Sequence, residues 1–348
     1  MSTVVPGTAF KAIQLWPLVA MVCLAALLPT LGATFFSGAV RQILTTALLF
    51  GFMAFAWNVL SGYLGYLSLG DYLYFGVGAY VCAYLLSAYS VSPLLAVIPC
   101  SVAMGAMAWG LARLVAGLRF RGSIFALVTL AVAEIGRVVV TRIPAFKGEA
   151  GIYLQLVNEP AAFLFTNPLV YYYGALLLFA LGGVLSFVCF ESKWGMQLRA
   201  LRDEEVAARS LGVRIDLRLA QAAALSAVCF TLAGAFYACS SFFVTPGTVL
   251  TIDIVVTVLI MCVVGGLGSM WAPLFGMSVV AGVQIALNKA GLSSSTAATW
   301  GHMAYGAIIL IAVASRAAAA ARARKPRPAA LATGTNAALR PPPQHKGT

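Results

Sequence analysis

Charge is what this chain has least of: Asp, Glu, Lys and Arg make up 9% of its 348 residues, where a soluble domain carries about a quarter. So few charges cannot solvate the surface of a soluble globular protein. Histidine is scarcer still. His302 and His345 are the only two, which excludes His-based zinc motifs and most Ser-His-Asp arrangements. No Gly-Lys dipeptide occurs, so the chain has no G-x-x-x-x-G-K-[ST] loop to cradle a phosphate. If ATP drives this protein, ATP and Mg are held by another subunit. The seven cysteines (Cys23, Cys82, Cys100, Cys189, Cys229, Cys239 and Cys262) all lie in apolar stretches and form no C-x-x-C pair, which suits small apolar filler better than redox or metal work. No cofactor, no metal and no catalytic residue is expected on this chain.

What is present is hydrophobic, 61% of all residues. Apolar runs of about 20 residues recur from Ile13 to Ser315, each long enough to cross a hydrocarbon layer about 30 Å thick. The fold class is therefore all-α and polytopic. About ten transmembrane helices are expected, near 13–32, 40–60, 72–90, 93–116, 123–141, 169–190, 218–240, 251–265, 271–290 and 299–315. The net charge of +12 comes without an aromatic-interleaved basic patch, so no nucleic-acid partner is expected. With the N-terminus inside, alternate threading leaves 17 basic residues on the cytoplasmic side and Arg41, Arg142, Lys147 and Lys289 outside. That asymmetry makes both termini cytoplasmic. Residues 1–315 form the transmembrane domain. Residues 316–348, rich in Ala, Arg and Pro, are expected to be a disordered basic tail lying against membrane lipid.

One long interior segment breaks the apolar pattern: Trp194–Gly212, WGMQLRALRDEEVAARSLG, within 192–215. An amphipathic, mixed-charge helix between two spans needs an aqueous partner, because its polar face cannot stay in hydrocarbon. In it Leu198, Leu201, Val206 and Ala208 can supply apolar contacts, and Arg199, Arg202, Glu204 and Glu205 polar ones. Gly212 is placed to end the helix in a left-handed cap.

Two Gly-rich interruptions, Gly62–Gly70 (GYLGYLSLG) and Gly265–Ser269 (GGLGS), read as broken helices in comparable places of the two halves. They suggest a five-helix repeat in inverted topology, although glycine also simply permits close helix packing. Three acids sit in or beside apolar runs and each needs a reason, since a charge at bilayer depth costs about 2.5–3.5 kcal/mol on insertion scales. Asp71 either completes a Ser68-Leu-Gly-Asp71 capping box or lines a path. Asp253 suits a helix N-terminus. Glu134 and Arg137, three apart, share a helix face and form either a structural ion pair or part of a translocation path.

Taken together, five blocks resemble the branched-chain amino acid ABC importer permeases, specifically the high-affinity Leu/Ile/Val permease of the M type. They are Asn58–Gly70 continuing to Phe75-Gly-Val-Gly78-Ala79-Tyr80; Arg119-Phe-Arg121-Gly122 with Thr129 and Glu134-Ile-Gly-Arg137; Gly148-Glu-Ala-Gly151-Ile152; Gly195–Gly212; and Met261–Ser269. The resemblance covers about residues 40–312. It implies the ABC importer permease fold in a bacterial inner (plasma) membrane. It also implies a second permease subunit, two cytoplasmic ATPases, an external solute-binding protein, and no enzymatic activity in this chain.

The same resemblance makes Trp194, Gly195, Leu198, Arg199, Arg202, Glu204, Glu205, Ala207, Ala208 and Gly212 the ATPase-coupling residues. Gly65, Ser68, Asp71, Glu134, Arg137, Gly265, Gly266 and Gly268 belong to the path or its framework. Two departures stand out: Asp71 where many members have His, and acids at Glu204 and Glu205, shifted from the general E-A-A-x-x-x-G loop. Related permeases carry urea, short amides and other small organic solutes, which is the nearest alternative. An intramembrane aspartyl protease using Asp71 and Asp253 is a distant one, because the G-x-G-D motif of such enzymes is missing.

Overall fold

In a computed structural model the described residues are 7–31, 37–89, 92–118, 122–146, 148–154, 165, 167–290, 300–301, 303–308, 310 and 314. The chain divides into Met1–Ile309 and Leu310–Thr348. Of the second unit only Leu310 and Ala314 are described, both helical. The expected tail 316–348, His302, His345 and the basic residues Arg119, Arg121 and Lys147 lie outside the described residues.

The first unit is a helical assembly: α1 (Gly7–Leu27), α2 (Gly38–Trp57, widening into a π-helical turn over Asn58–Tyr63), α3 (Tyr72–Tyr89), α4 (Pro93–Gly117) and α5 (Gly122–Arg142). A two-residue strand β1 (Ile152–Tyr153) precedes α6 (Pro168–Glu191), α7 (Lys193–Asp203), α8 (Glu205–Ser210) and α9 (Ile215–Ser241). After β2 (Phe243–Val244) come α10 (Pro246–Val249), α11 (Ile252–Gly265) and α12 (Ala272–Lys289). Local chemistry sets several boundaries. Ser37 accepts the Val40 N–H at the head of α2 and Asn167 that of Leu169 at the head of α6, satisfying amide groups a helix start leaves unpaired. Pro93, Pro168 and Pro246 open their helices, where a missing N–H costs nothing.

Seven described stretches are long and apolar enough to cross a membrane: Gly38–Tyr63, Tyr72–Tyr89, Leu95–Gly117, Ser123–Arg142, Pro168–Glu191, Ile215–Ser241 and Pro246–Gly265. The expected count of ten is not reached. The apolar part of α1 is the shorter stretch Trp16–Leu27, α12 carries Gln284, Asn288 and Lys289 in its second half and is not among the seven, and 299–315 is described only in part.

Small residues let the helices approach backbone to backbone, the packing mode that lipid-embedded helices favour. A side chain on Gly78 of α3 would strike the Thr231 carbonyl of α9, and one on Gly234 of α9 the Phe75 carbonyl of α3. Gly265 and Gly276 play the same part between α11 and α12, against the carbonyls of Ala272 and Met261. Elsewhere large rings fill the space: Trp57, Tyr63, Tyr72 and Tyr80 are fully buried, and Phe55 of α2 meets Phe179 of α6 at 5.3 Å.

The helix ends sort into two faces. At one, a cleft of about 840 Å³ brings together residues 61–67 after α2, Ala116 of α4, residues 201–209 of α7 and α8, Ile215 of α9 and Leu267 after α11. At the other, a cleft of about 680 Å³ gathers the start of α2, the starts of α6 and α10 and the end of α9, where β1 and β2 pair antiparallel with Ile152 opposite Val244. Thus α2 and α11 run in parallel, and both end at the face that carries α7 and α8. The expectation that the two Gly-rich breaks are counterparts in an inverted repeat is corrected by this arrangement, since inversion places counterparts on opposite faces.

Candidate functional site

The first break is held by side chains of α2 with its π-turn and of α5. The chain leaves α2 through its π-turn and turns at Gly65, whose φ of +83° suits a residue without a Cβ. Trp57 Nε1 donates to the Ser68 carbonyl at 2.9 Å, Ser61 Oγ to the Tyr66 carbonyl at 3.1 Å, and the Leu69 N–H to Thr129 Oγ1 of α5 at 3.2 Å. Backbone polar groups in a broken helix at membrane depth must find such partners.

Asp71, immediately before α3, is 2% exposed. It accepts the Ser68 hydroxyl at 2.8 Å on one carboxylate oxygen and the Ser226 hydroxyl of α9 at 2.9 Å on the other. The expected capping box is therefore not what forms: the Ser68 hydroxyl goes to the Asp71 side chain and not to a helix N–H. Nor do Asp71 and Asp253 make a protease dyad. Asp71 is engaged by two serines, while Asp253 is exposed in the first turn of α11.

The second break meets the first. Gly266, at φ +108°, ends α11, and Gly268 follows at φ +82°. The amide of Asn58, wholly buried, spans the gap: its Oδ1 accepts the Gly268 N–H at 3.0 Å and its Nδ2 donates to the Ser269 carbonyl at 2.8 Å. Gly265 is the close-packing residue beneath this junction.

The polar segment is two helices, not one. Glu204 adopts an extended conformation, φ −151° and ψ 96°, between α7 and α8. Ser192 caps α7 by accepting the Gly195 N–H at 3.1 Å, and Gly195 lies against the Cys189 carbonyl with no room for a Cβ. Trp194 Nε1 donates to Gln221 Oε1 of α9 at 2.8 Å. Arg199 stacks 3.8 Å above the Phe190 ring and bonds the Phe190 carbonyl.

Leu198 and Leu201 are buried in the chain's own core, as is Ala208, so the expectation that they offer apolar contacts outward is corrected. One side of α7 is amphipathic toward its own bundle. The exposed apolar side chains of the segment are instead Met196, Val206 at 72% and Leu211 at 86%, with Ala207 exposed beside them. Glu205 bridges Arg209 at 2.7 Å along α8. Burial together with the adjacent Glu205 carboxylate pushes the Tyr66 phenol above its ordinary pKa, marking where α8 meets the first break. Gly212, φ +84°, closes α8 as expected: its N–H bonds the Arg209 carbonyl and that of Val213 the Ala208 carbonyl, the two bonds of a Schellman cap.

Arg202 is exposed, and its Nη1 reaches back to donate to the Gly62 carbonyl at 2.6 Å. Away from this junction, Glu134 and Arg137 pair at 2.8 Å with both side chains nearly half exposed, and Glu134 also accepts the hydroxyl of the buried Tyr72 at 2.7 Å. Asn58 and Thr129 enter the sequence reading only as members of family blocks, with no role given, and Ser226 and Tyr72 not at all. A lone Asn in an apolar run is the one signal that could have found them, because a buried amide demands partners.

No curated protein matches this chain, and no solved structure does. The sequence model of one family, the branched-chain amino acid transport system / permease component, matches residues 39–313. That span holds both breaks, the Glu134–Arg137 pair and the whole α7–α8 segment, and the chain belongs to this permease family.

Proposed function

We propose that this chain is one of two transmembrane subunits of an ATP-driven importer for branched-chain amino acids or close relatives, set in a bacterial inner membrane with both termini cytoplasmic. Two cytoplasmic ATPase subunits bind ATP and Mg, a second permease completes the path, and an external solute-binding protein delivers the solute. The observation that carries this reading is the build of α7–α8. Its inner face is locked into the bundle beside both helix breaks, and its outer tip presents Val206, Ala207 and Leu211 to whatever docks there. A rigidly anchored segment with an exposed apolar tip can pass motion of a soluble domain to broken helices, and alternating access needs that transfer.

The half-exposed Glu134–Arg137 pair sits on the path between the two permease subunits, where water or protein covers it at a depth that lipid would penalise. The test is purification in mild detergent followed by uptake in proteoliposomes. An ATPase pair and a second permease are expected to co-purify, and ATP-dependent uptake of leucine, isoleucine or valine is expected to outcompete urea and short amides. Uptake won by urea or amides would transfer the assignment to those solutes. Uptake that persists without the ATPases would refute the importer reading.

A further inference from the structure

Arg202, in the coupling segment, reaches both helix breaks at once. It stands in the last turn of α7 with Leu198 and Leu201 buried on the same helix. Its Nη1 bonds the Gly62 carbonyl, one of the carbonyls that a helix end leaves without an intrahelical donor. A cation there also complements the negative end of the helix dipole. Its stem covers Gly65, where a Cβ would stand 3.2 Å from Arg202 Cγ.

The guanidinium also covers Gly268, where a Cβ would collide with Nη1 and lie 2.9 Å from the Gly62 oxygen. Asn58 completes the junction by bonding both sides of the second break. Among the described residues no carboxylate pairs with Arg202, although three acids follow it directly in sequence, Asp203, Glu204 and Glu205, and Arg209 takes Glu205. Its side chain is exposed, and its hydrogen bond goes to the backbone of the first break. With these contacts packed, α7 cannot slide past α2 unless it breaks the Gly62 bond or carries Gly62 and Gly268 along.

We propose that Arg202 is a positioning residue that transmits displacement of α7–α8 to both helix breaks, acting inward on this chain and not as a contact for the docked ATPase. This rests on the importer reading above. Arg202→Met keeps the stem over Gly65 and removes the bond and the charge, whereas Arg202→Lys keeps the charge and can still reach one carbonyl.

In the complete assembly, Arg202→Met is expected to lower ATP-driven uptake by about tenfold or more, within the range of ordinary coupling factors. The ATPase subunits should still co-purify, solute should no longer stimulate ATP hydrolysis, and Arg202→Lys should recover part of both. The same contact can be attacked from its other side. Gly268→Ala pushes a methyl into the guanidinium at φ +82°. Gly268→Ala should lower uptake in the wild-type background, and the loss should shrink in the Arg202→Met background, where Nη1 is gone.

Uptake by Arg202→Met within about twofold of the wild type would overturn the proposal. So would loss of the ATPases from that variant, which would make Arg202 a docking contact. A Gly268→Ala loss of the same size in the wild-type and Arg202→Met backgrounds would do the same. If the wild-type assembly itself shows no ATP-dependent uptake, the importer reading fails and the proposal with it. A coupled wild type with an undisturbed Arg202→Met overturns the proposal alone.

Discussion

Removing Glu134 should damage the protein more than removing Glu134 and Arg137 together. Glu134 is the thirteenth of the 21 residues of α5, well inside the span, and its two oxygens take Arg137 Nε at 2.8 Å and the Tyr72 hydroxyl at 2.7 Å. Glu134→Ala strands the Arg137 charge, at about 2.5–3.5 kcal/mol on insertion scales. It also orphans the hydroxyl of Tyr72, whose ring is buried, for about 1 kcal/mol more. The single change should therefore cost about 4 kcal/mol, and the double change with Arg137→Ala only about the 1 kcal/mol of the tyrosine.

Both side chains are nearly half exposed, so water reaching the site would lower the charge cost for every variant while keeping their order. Thermal unfolding of the purified assembly in detergent gives the energies, and uptake gives the functional cost. A pair that lines an aqueous path predicts a double variant of near-normal stability with impaired uptake. A double variant at least as unstable as Glu134→Ala would refute the reasoning, because it would mean that the two residues do not neutralise each other.

Other expectations can be checked in the same preparation. Val206→Asp and Leu211→Asp, at 72% and 86% exposure, should release the ATPases in pull-down while leaving the permease as stable as before; retention of the ATPases by both would move the docking tip elsewhere. Asp71→Ala leaves the Ser68 and Ser226 hydroxyls unpaired in a buried site and should cost about 2 kcal/mol or more, with Asp71→Asn milder because an amide can both accept and donate; equal melting temperatures for Asp71→Ala and wild type would show that the cluster contributes nothing. With Cys23, the exposed cysteine, replaced, an impermeant thiol reagent added from outside should label a cysteine placed at Tyr153 and miss one at Val206. The opposite pattern would invert the topology.

The helices were legible because hydrophobic length and punctuation are local. Runs near 93–116 and 169–190 were expected where α4 and α6 form, between Pro93 and Pro168 at their heads and polar residues at their ends. The left-handed cap at Gly212 follows from the same local logic, since a glycine after a short helix supplies a conformation that a side chain resists. What misled was any inference that needed a partner in space. Leu198 and Leu201 have the spacing of an amphipathic face, and spacing alone does not say whether that face meets another protein or the chain's own bundle. The two glycine breaks invite pairing by an inverted repeat because sequence position carries no direction across a membrane. Asn58 Oδ1 on Gly268, 210 residues away, shows that they lie at one face.

By itself, then, the sequence determined the class of molecule, seven of its ten expected spans and its family blocks, because burying about 20 apolar residues in lipid is decided residue by residue without reference to the rest of the fold. Only the tertiary structure decided that Asn58, Gly62, Arg202 and Gly268 form one junction, that Asp71 is held between two serines, and that Val206 and Leu211 stand exposed while Leu198 and Leu201 are buried. Those outcomes depend on which carbonyls and amides were left unpaired where helices break, and on which side chain from a distant segment came close enough to satisfy them.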